Sequence, residues 1–346
     1  MKREKFQVSQ KRIAEEAGVS QSTVSLILAG HQVSSDETSR RVLEAAERLR
    51  YRPNLLVRGM QTGKTQMIGV MMPPFDFYWA EVLYGIHDVL TGADHVPITL
   101  WTTHVGSKPR ERYAPGDDLL QIHRLLGRRI DGVILWPPFA RVFGEFSSRD
   151  LPVVTIDQEL PAECVAGYVG SDESAGGRLI AEHLYALGHR RMGHLAAPAV
   201  NTWATARRKA FESSLKKMAG ASCVTVEAPG GDTSLGIEAA RKILSARDRP
   251  TAVFAASDLY AKTLYQAARE MNIDIPRELS VVGFSDDDFA REMLPPLTTI
   301  RQPAYEIGRH AAEMVIGRSL GQIKGKNRRM ELPVTLITRE SSGEVG

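Results

Sequence analysis

The stretch RIAEEAGVSQSTVSLILAG, residues 12–30, reads as one helix that stops at Gly18 and a second that starts right after Ser20. Ile13 and Ala17, four apart, give the first helix an apolar face. Gly18 suits the left-handed residue that ends a helix. Ser20 suits an N-cap for the second helix, whose Val24 and Leu28 point inward. A plain helix hairpin would account for this pattern. So would a helix-turn-helix that presents the polar tip of its second helix to DNA.

Outward from this stretch, three short helices fit the head. Ser9 can cap the first and Ser35 the third. Val42, Ala45, Ala46 and Leu49 follow the i, i+3, i+4, i+7 rule, and Pro53 ends the third helix. Residues 1–65 hold 12 Lys/Arg against 7 Asp/Glu, a net of +5, while the remainder carries −2. A basic head on a slightly acidic body points to a polyanion partner, and a solvated charged face accounts for the same charge.

With 346 residues, 43% hydrophobic and 25% charged, the chain has the composition of a globular protein with room for two or three cored domains. Cys164 and Cys223 are too few and too far apart for a disulfide framework or a metal site, which fits a reducing compartment. No apolar run approaches the roughly 20 residues of a membrane span. The charged N-terminus is followed by no apolar stretch, so it is not a secretory signal. The expected location is the cytoplasm, with no membrane partner.

From residue 66 the pattern changes. MIGVMM, VPITLW, DGVILW, PVVTI, AGYVGS, RMGHLA, TAVFAAS and SVVGFS are short apolar runs rich in Val and Ile. Helical stretches lie between most of them, at 79–91, 117–127, 174–187, 202–218, 233–246 and 258–271. Buried strands alternating with helices predict an α/β fold with parallel sheets covered on both faces. The strands are too many for one simple sheet, so two similar lobes are expected, with a break near 158–168. Ligands in such folds bind beyond the carboxyl ends of the strands. No GxxxxGK[ST] loop, no GxGxxG after a strand, no zinc signature and no nucleophile elbow is present, which weighs against a nucleotide-dependent enzyme. No cofactor and no metal are expected.

At this point several motifs converge. RIAEEAGVSQSTVSLIL, VSSDETSRRVLEAAERLRYRPN, QTGKTQMIGVMMP, LGHRRMGHLAAP, PRELSVVGFSDDDFA, LPPLTTIRQP and LPVTLITRESS closely resemble the LacI/GalR family of bacterial transcription repressors, nearly end to end and in the right order. The resemblance implies an all-α helix-turn-helix headpiece (1–53), a hinge helix and linker (54–65) and a two-lobed periplasmic-binding-protein-like core (66–346). The first lobe is expected at about 66–160 plus 295–322, and the second at about 165–292 plus 326–346. A homodimer, a palindromic operator and a small-molecule effector between the lobes follow from the same resemblance. The implied function is a ligand-responsive, non-enzymatic regulator, a repressor of a carbohydrate-utilisation operon. A solute-binding protein of the same core fold, or an α/β enzyme with a DNA-binding head, are the alternatives.

In the head, the second helix would meet base edges with Gln21 and Ser22, and with Ser25 one turn on. Ser9, Ser20 and Thr23 are placed for phosphates. The family usually has Arg where this chain has Leu26, and Asn where it has Ala29. For Leu26, packing against the third helix is slightly favoured over contact with a thymine methyl. In the hinge, Asn54, Val57, Arg58 and Met60 are the expected DNA contacts. Met60 stands where the family's wedging Leu commonly sits.

In the core, Arg207 of TWATARRKAF matches the family's effector-contacting Arg, a fixed fork of donors suited to hydroxyls or carboxylates. Tyr78 and Trp79 match the aromatic pair over the cleft. Trp203, Asp157, Ser257 and Ser285 complete the expected effector set. Ser285 stands where many relatives have Asp. Asp258 is read as the cap of the following helix, Asp286 as structural, and Trp136 as a core residue. His183 and His189 match positions that look structural.

Overall fold

The computed structural model describes residues 9–28, 36–51, 63–73, 77–101, 117–136, 151–159, 166–228, 233–325 and 328–346. The chain divides into two compact units, Met1–Thr65 and Gln66–Gly346.

The first unit holds α1 (Gln10–Ala17), α2 (Gln21–Leu28) and α3 (Asp36–Arg48). Ile13, Ala17, Val24, Ile27, Val42 and Ala45 bury into one small core. Each Val or Ile buried there contributes about 1.5–3 kcal/mol. Gly18 ends α1 at φ 65°, and its N–H donates to the Ala14 carbonyl. The Arg41 guanidinium from α3 donates to the Ala17 carbonyl, so α3 satisfies part of α1's open C-terminus. Ser20 caps α2, its Oγ accepting from Thr23 N–H at 3.1 Å. Ser9 differs from expectation. It precedes α1 in extended backbone, but its side chain makes no cap bond. Ser35, Ala29, Pro53 and the hinge residues Asn54, Val57, Arg58 and Met60 lie outside the described residues.

The second unit contains two six-stranded sheets. One runs β2 (Val96–Trp101), β1 (Met67–Met72), β3 (Gly132–Leu135), β4 (Val153–Ile156), β5 (Gly167–Ser171), β11 (Arg328–Leu332). All its pairings are parallel. On one face lie α4 (Phe77–Gly92) and α10 (Ala304–Ser319), on the other α5 (Asp117–Leu126). The other sheet runs β7 (Ser222–Glu227), β6 (Arg191–Ala196), β8 (Ala252–Ala255), β9 (Ser280–Ser285), β10 (Thr298–Arg301), β12 (Thr335–Ile337). Only β12 is antiparallel to its neighbour. The helices α6 (Glu173–Ala186) and α7 (Thr202–Leu215) cover one face, and α8 (Thr233–Leu244) and α9 (Asp258–Glu270) the other.

Both sheets thus share one strand order, 2-1-3-4-5 followed by a late strand. The chain passes between them after Ser171, after Arg301 and after Leu332. These passages correct the expected lobe segments. β5 (167–171) and β11 (328–332) belong to the first sheet and β10 (298–301) to the second. The crossover comes one strand later than expected because β4, buried on both faces, pairs in parallel with β5. The two lobes are therefore joined by three connections, which leave the carboxyl ends of β5, β10 and β11.

Helices in this core approach closely through glycine. A Cβ on Gly177 of α6 would lie 2.4 Å from the Arg207 carbonyl of α7. α4 and α10 meet the same way, through Gly85 and Gly308.

Candidate functional site

In the head, capping and exposure settle how α2 is presented. Ser20 Oγ lies 2.7 Å from Ser22 Oγ and 2.8 Å from Thr23 Oγ1, so the cap also gathers the first-turn hydroxyls. Gln21 and Ser22 are exposed, while Thr23 and Ser25 are half-buried. Leu26 is 39% exposed and stands one turn beyond Ser22 on the same side. This corrects the packing expectation, since Val24 and Ile27 fill the interior and leave Leu26 on the surface. An exposed apolar side chain there is available for a thymine methyl.

In the core, the strand ends of both lobes bring a charged cluster together. Arg207 of α7 is 5% exposed and Glu173, the first residue of α6, 3%. Arg207 Nε donates to Glu173 Oε2, Nη2 to Glu173 Oε1 at 3.1 Å, and Nη1 to the Ala256 carbonyl at 2.8 Å. The guanidinium also lies over the rings of Phe284 at 3.5 Å and Trp203 at 4.6 Å. Local structure fixes this geometry. Asp172 caps α6, accepting from Ala175 N–H at 2.7 Å, which places Glu173 in the first turn. Burial raises the Glu173 carboxyl above its ordinary value, and the bidentate guanidinium opposes that rise.

Asp157 follows β4 with φ 55°, a left-handed conformation that Asp tolerates better than most residues. It is 5% exposed. The Tyr78 hydroxyl donates to its Oδ2. Its Oδ1 is buried without a hydrogen-bond partner among the described residues. Burial and the nearby Glu173 charge raise the Asp157 carboxyl to about 7, while Tyr78, Arg207 and the Ser171 backbone pull it down. Burial and Asp157 push the Tyr78 phenol well above its ordinary value, and the Tyr168 phenol up as well. The Trp79 ring meets Tyr78 edge-on at 5.1 Å, and Trp136 meets Trp79 at 6.1 Å. Trp136 is buried, as a core residue should be.

Sequence reasoning missed several members of this cluster. Gln302 follows β10 and donates to Ser171 Oγ at 2.9 Å and towards Glu173 Oε1 at 3.5 Å. Gln158 of the first lobe accepts at Oε1 from the Thr202 N–H at 3.0 Å and donates to the Val200 carbonyl at 3.3 Å. The signal for Glu173 was present: an acid in a helix's first turn, directly after a buried strand, on the end where ligands bind. Gln302 had no such signal, because the strand before it is TTIR, too polar to read as buried.

The remaining expected effector residues lie at the same strand ends without joining the cluster. Ser257 precedes α9 in extended backbone and makes no side-chain cap bond. Ser285 Oγ donates to its neighbour's carbonyl, that of Phe284. Asp258 is not the cap it was expected to be. It is the first residue of α9, fully buried, and accepts from Thr299 Oγ1 at 2.6 Å and from Asp287 N–H at 2.9 Å. Burial raises it to about 6. Asp286 binds Arg301 and Arg339, each at 2.6 Å, and is structural. His183 and His189 bond to Ser342, Thr251 and Ser280 at 2.9–3.0 Å and fix the C-terminal segment. An open groove of about 890 Å³, lined by Arg178, Lys209, Lys216 and Lys217 among others, runs along the other side of α7. It does not include Arg207.

Among the described residues, no helix is long and apolar enough to cross a membrane. No group of three His, Cys, Asp or Glu could hold a metal ion.

Comparison with known proteins fits these two units. A model of the lacI family of bacterial regulatory proteins matches residues 11–54, and a model of the periplasmic binding protein-like domain matches 181–342. The ribose operon repressor of Haemophilus influenzae is 29% identical over 96% of this chain and 97% of that protein. The transcriptional repressor CytR of Escherichia coli K12 is also 29% identical, over 99% of this chain and 98% of its own. Among solved structures, the lac repressor dimer bound to operator and the anti-inducer ONPF superposes with a TM-score of 0.81 at 24% identity, covering 97% of this chain and 99% of that one. A complex of the regulator CelR with cellobiose gives 0.69 at 24%, covering 96% and 99%. The chain thus carries a lacI-family regulatory domain in its head and a periplasmic binding protein-like domain in its core, and over nearly its whole length it is similar to repressors.

Proposed function

We propose that this regulator is a cytoplasmic, non-enzymatic repressor of carbohydrate-use genes. It binds a palindromic operator as a homodimer and responds to a small sugar or sugar derivative held between the lobes of its core. The observation that carries the reading is a pairing within one chain. A basic head exposes the polar tip of α2, and a two-lobed core gathers Tyr78, Asp157, Trp203 and Arg207 at its strand ends. Relatives named for the ribose operon, and a neighbour crystallised with cellobiose, support the sugar class.

Each half has a role. Gln21 and Ser22 read base edges, with Ser25 and the exposed Leu26 one turn on. Ser20 and Thr23 hold the α2 N-terminus against phosphate, and Ser9 serves the same backbone contacts from α1. In the hinge, Asn54, Val57, Arg58 and Met60 enter the minor groove, with Met60 as the wedge. In the core, Tyr78, Trp79 and Trp203 offer ring faces, Asp157 and Arg207 offer acceptor and donor, and Ser257 and Ser285 complete the wall from the second lobe.

The experiment is selection of operators from random duplexes by the full chain, beside its Gln21→Ala variant. The wild-type chain should select an inverted repeat. Its affinity should fall roughly 10³–10⁵-fold between 50 and 200 mM salt if about 6–10 phosphates are neutralised. Gln21→Ala should relax one position in each half-site, a bidentate base contact being worth about 1–3 kcal/mol. Binding without sequence preference contradicts the reading, and an unchanged motif removes Gln21 from it.

A further inference from the structure

The charge balance of the cluster says which effectors fit, provided that the cleft is the effector site as proposed above. Arg207 is the cluster's cation, its charge is already matched by Glu173, and three of its five N–H groups are engaged. Nε and Nη2 hold both oxygens of Glu173, Nη1 holds the Ala256 carbonyl, and Phe284 and Trp203 cover its faces. A further cation, Arg329, lies over the Tyr168 ring and is paired with both Glu159 and Glu331 at 2.6 Å. Asp157 stands beside the pair as a second buried carboxyl, with Oδ1 unpartnered among the described residues. Two buried carboxyls therefore face one buried guanidinium. An entering phosphate or carboxylate would meet like charge and find the Arg207 charge already matched by Glu173, a strongly unfavourable arrangement at low dielectric. An entering hydroxyl would find an acceptor in Asp157 Oδ1 that lacks a donor, and ring faces at Tyr78 and Trp79 beside it.

We propose that the effector is an uncharged, polyhydroxylated ring compound that donates a hydroxyl to Asp157. We further propose that Glu173 is the specificity determinant that turns away phosphorylated and carboxylated counterparts by holding Arg207. Specificity here rests on a repulsive element as much as on an attractive one. Glu173 neutralises the buried guanidinium that would otherwise capture an anion.

The test uses the full chain and matched probes: neutral pentoses and hexoses, each beside its phosphate ester and its aldonic acid, followed by thermal shift and calorimetry. The wild-type chain should bind a neutral member, with both charged counterparts weaker by about ten-fold or more. Glu173→Gln keeps the shape and frees the guanidinium, so the charged counterparts should gain about ten-fold or more over wild type. A wild-type chain that prefers the phosphate or acid to its neutral parent overturns the proposal. If that preference is lost in Arg207→Ala, the cleft is still the effector site and only the charge rule has failed. If no probe binds, the sugar class fails, and inorganic phosphate and acetate still decide the role of Glu173. Stabilisation of Glu173→Gln alone supports that role, and an equal response of both chains overturns it. Should Glu173→Gln not fold, the wild-type ranking of each matched set decides.

Discussion

Arg207 and Glu173 depend on each other, and that sets what happens when one is removed. Each is almost fully buried and satisfies the other through two hydrogen bonds. Arg207→Ala leaves a buried carboxylate without its partner, which costs about 3–5 kcal/mol. The core of that variant should melt well below wild type, and adding Glu173→Gln should restore much of the loss. Chemical denaturation of the three chains checks this, and additive losses would mean that the pair is not coupled. Asp157 gives a pH signature. Its carboxyl is raised to about 7 by burial first, then by Glu173, against the pull of Tyr78, Arg207 and the Ser171 backbone, with Tyr168 also close by. A raised folded value means that its contribution to stability is present below the ordinary carboxylate range and is lost as pH rises through about 7. Asp157→Asn has no proton to lose and tolerates the same left-handed backbone. The melting temperature of the variant relative to wild type should therefore rise between pH 5 and pH 8. A difference that stays flat with pH would show that Asp157 is not raised.

At the scale of elements, α7 owes its place to Gly177. A methyl group there would meet the Arg207 carbonyl at 2.4 Å and Phe211 N at 3.1 Å, both rigid backbone. Gly177→Ala must push α7 outward. Overpacking of this kind costs about 1–3 kcal/mol or more, and here it also moves the guanidinium off Glu173. Effector affinity should fall along with core stability, while the head, a separate compact unit, keeps its fold. Hydrogen exchange in α1–α3 and calorimetry on the core check the two halves. Most elements were legible because their patterns are physical. MIGVMM, VPITLW, RMGHLA and SVVGFS are strands over the very residues quoted, and the helices start or stop within a few residues of expectation. SCVTVE and RRMEL were not legible, since edge strands pair on one side and carry polar or charged residues. TTIR was missed for a different reason. It is a central strand, but its buried Thr299 is there to bond Asp258. α10 went unread as well. Its inward face is largely Ala and Gly, chosen for close contact with α4, so its periodicity is weak.

At the scale of the whole molecule, the cluster sits where the two sheets exchange strands. Glu173 follows the first passage, Gln302 the second, and Asp157 and Tyr78 reach it from the first lobe. In the proposed function, a ligand that reorders these contacts changes how the lobes meet, and that change alters operator binding by the head. The site's membership was half legible. Arg207, Asp157, Tyr78 and Trp203 follow from motif and register, whereas Glu173 and Gln302 depend on crossovers that only the sheet order reveals. The coupling itself is the central claim and is reciprocal by thermodynamic necessity. The measurement that tests it most directly is operator affinity of the full chain, at fixed salt, with and without the neutral sugar that stabilises its core. The account predicts a change of about 5–150-fold in operator affinity, in either direction, and the same factor in sugar affinity when operator is present. Sugar that binds the core while operator affinity stays the same would contradict it.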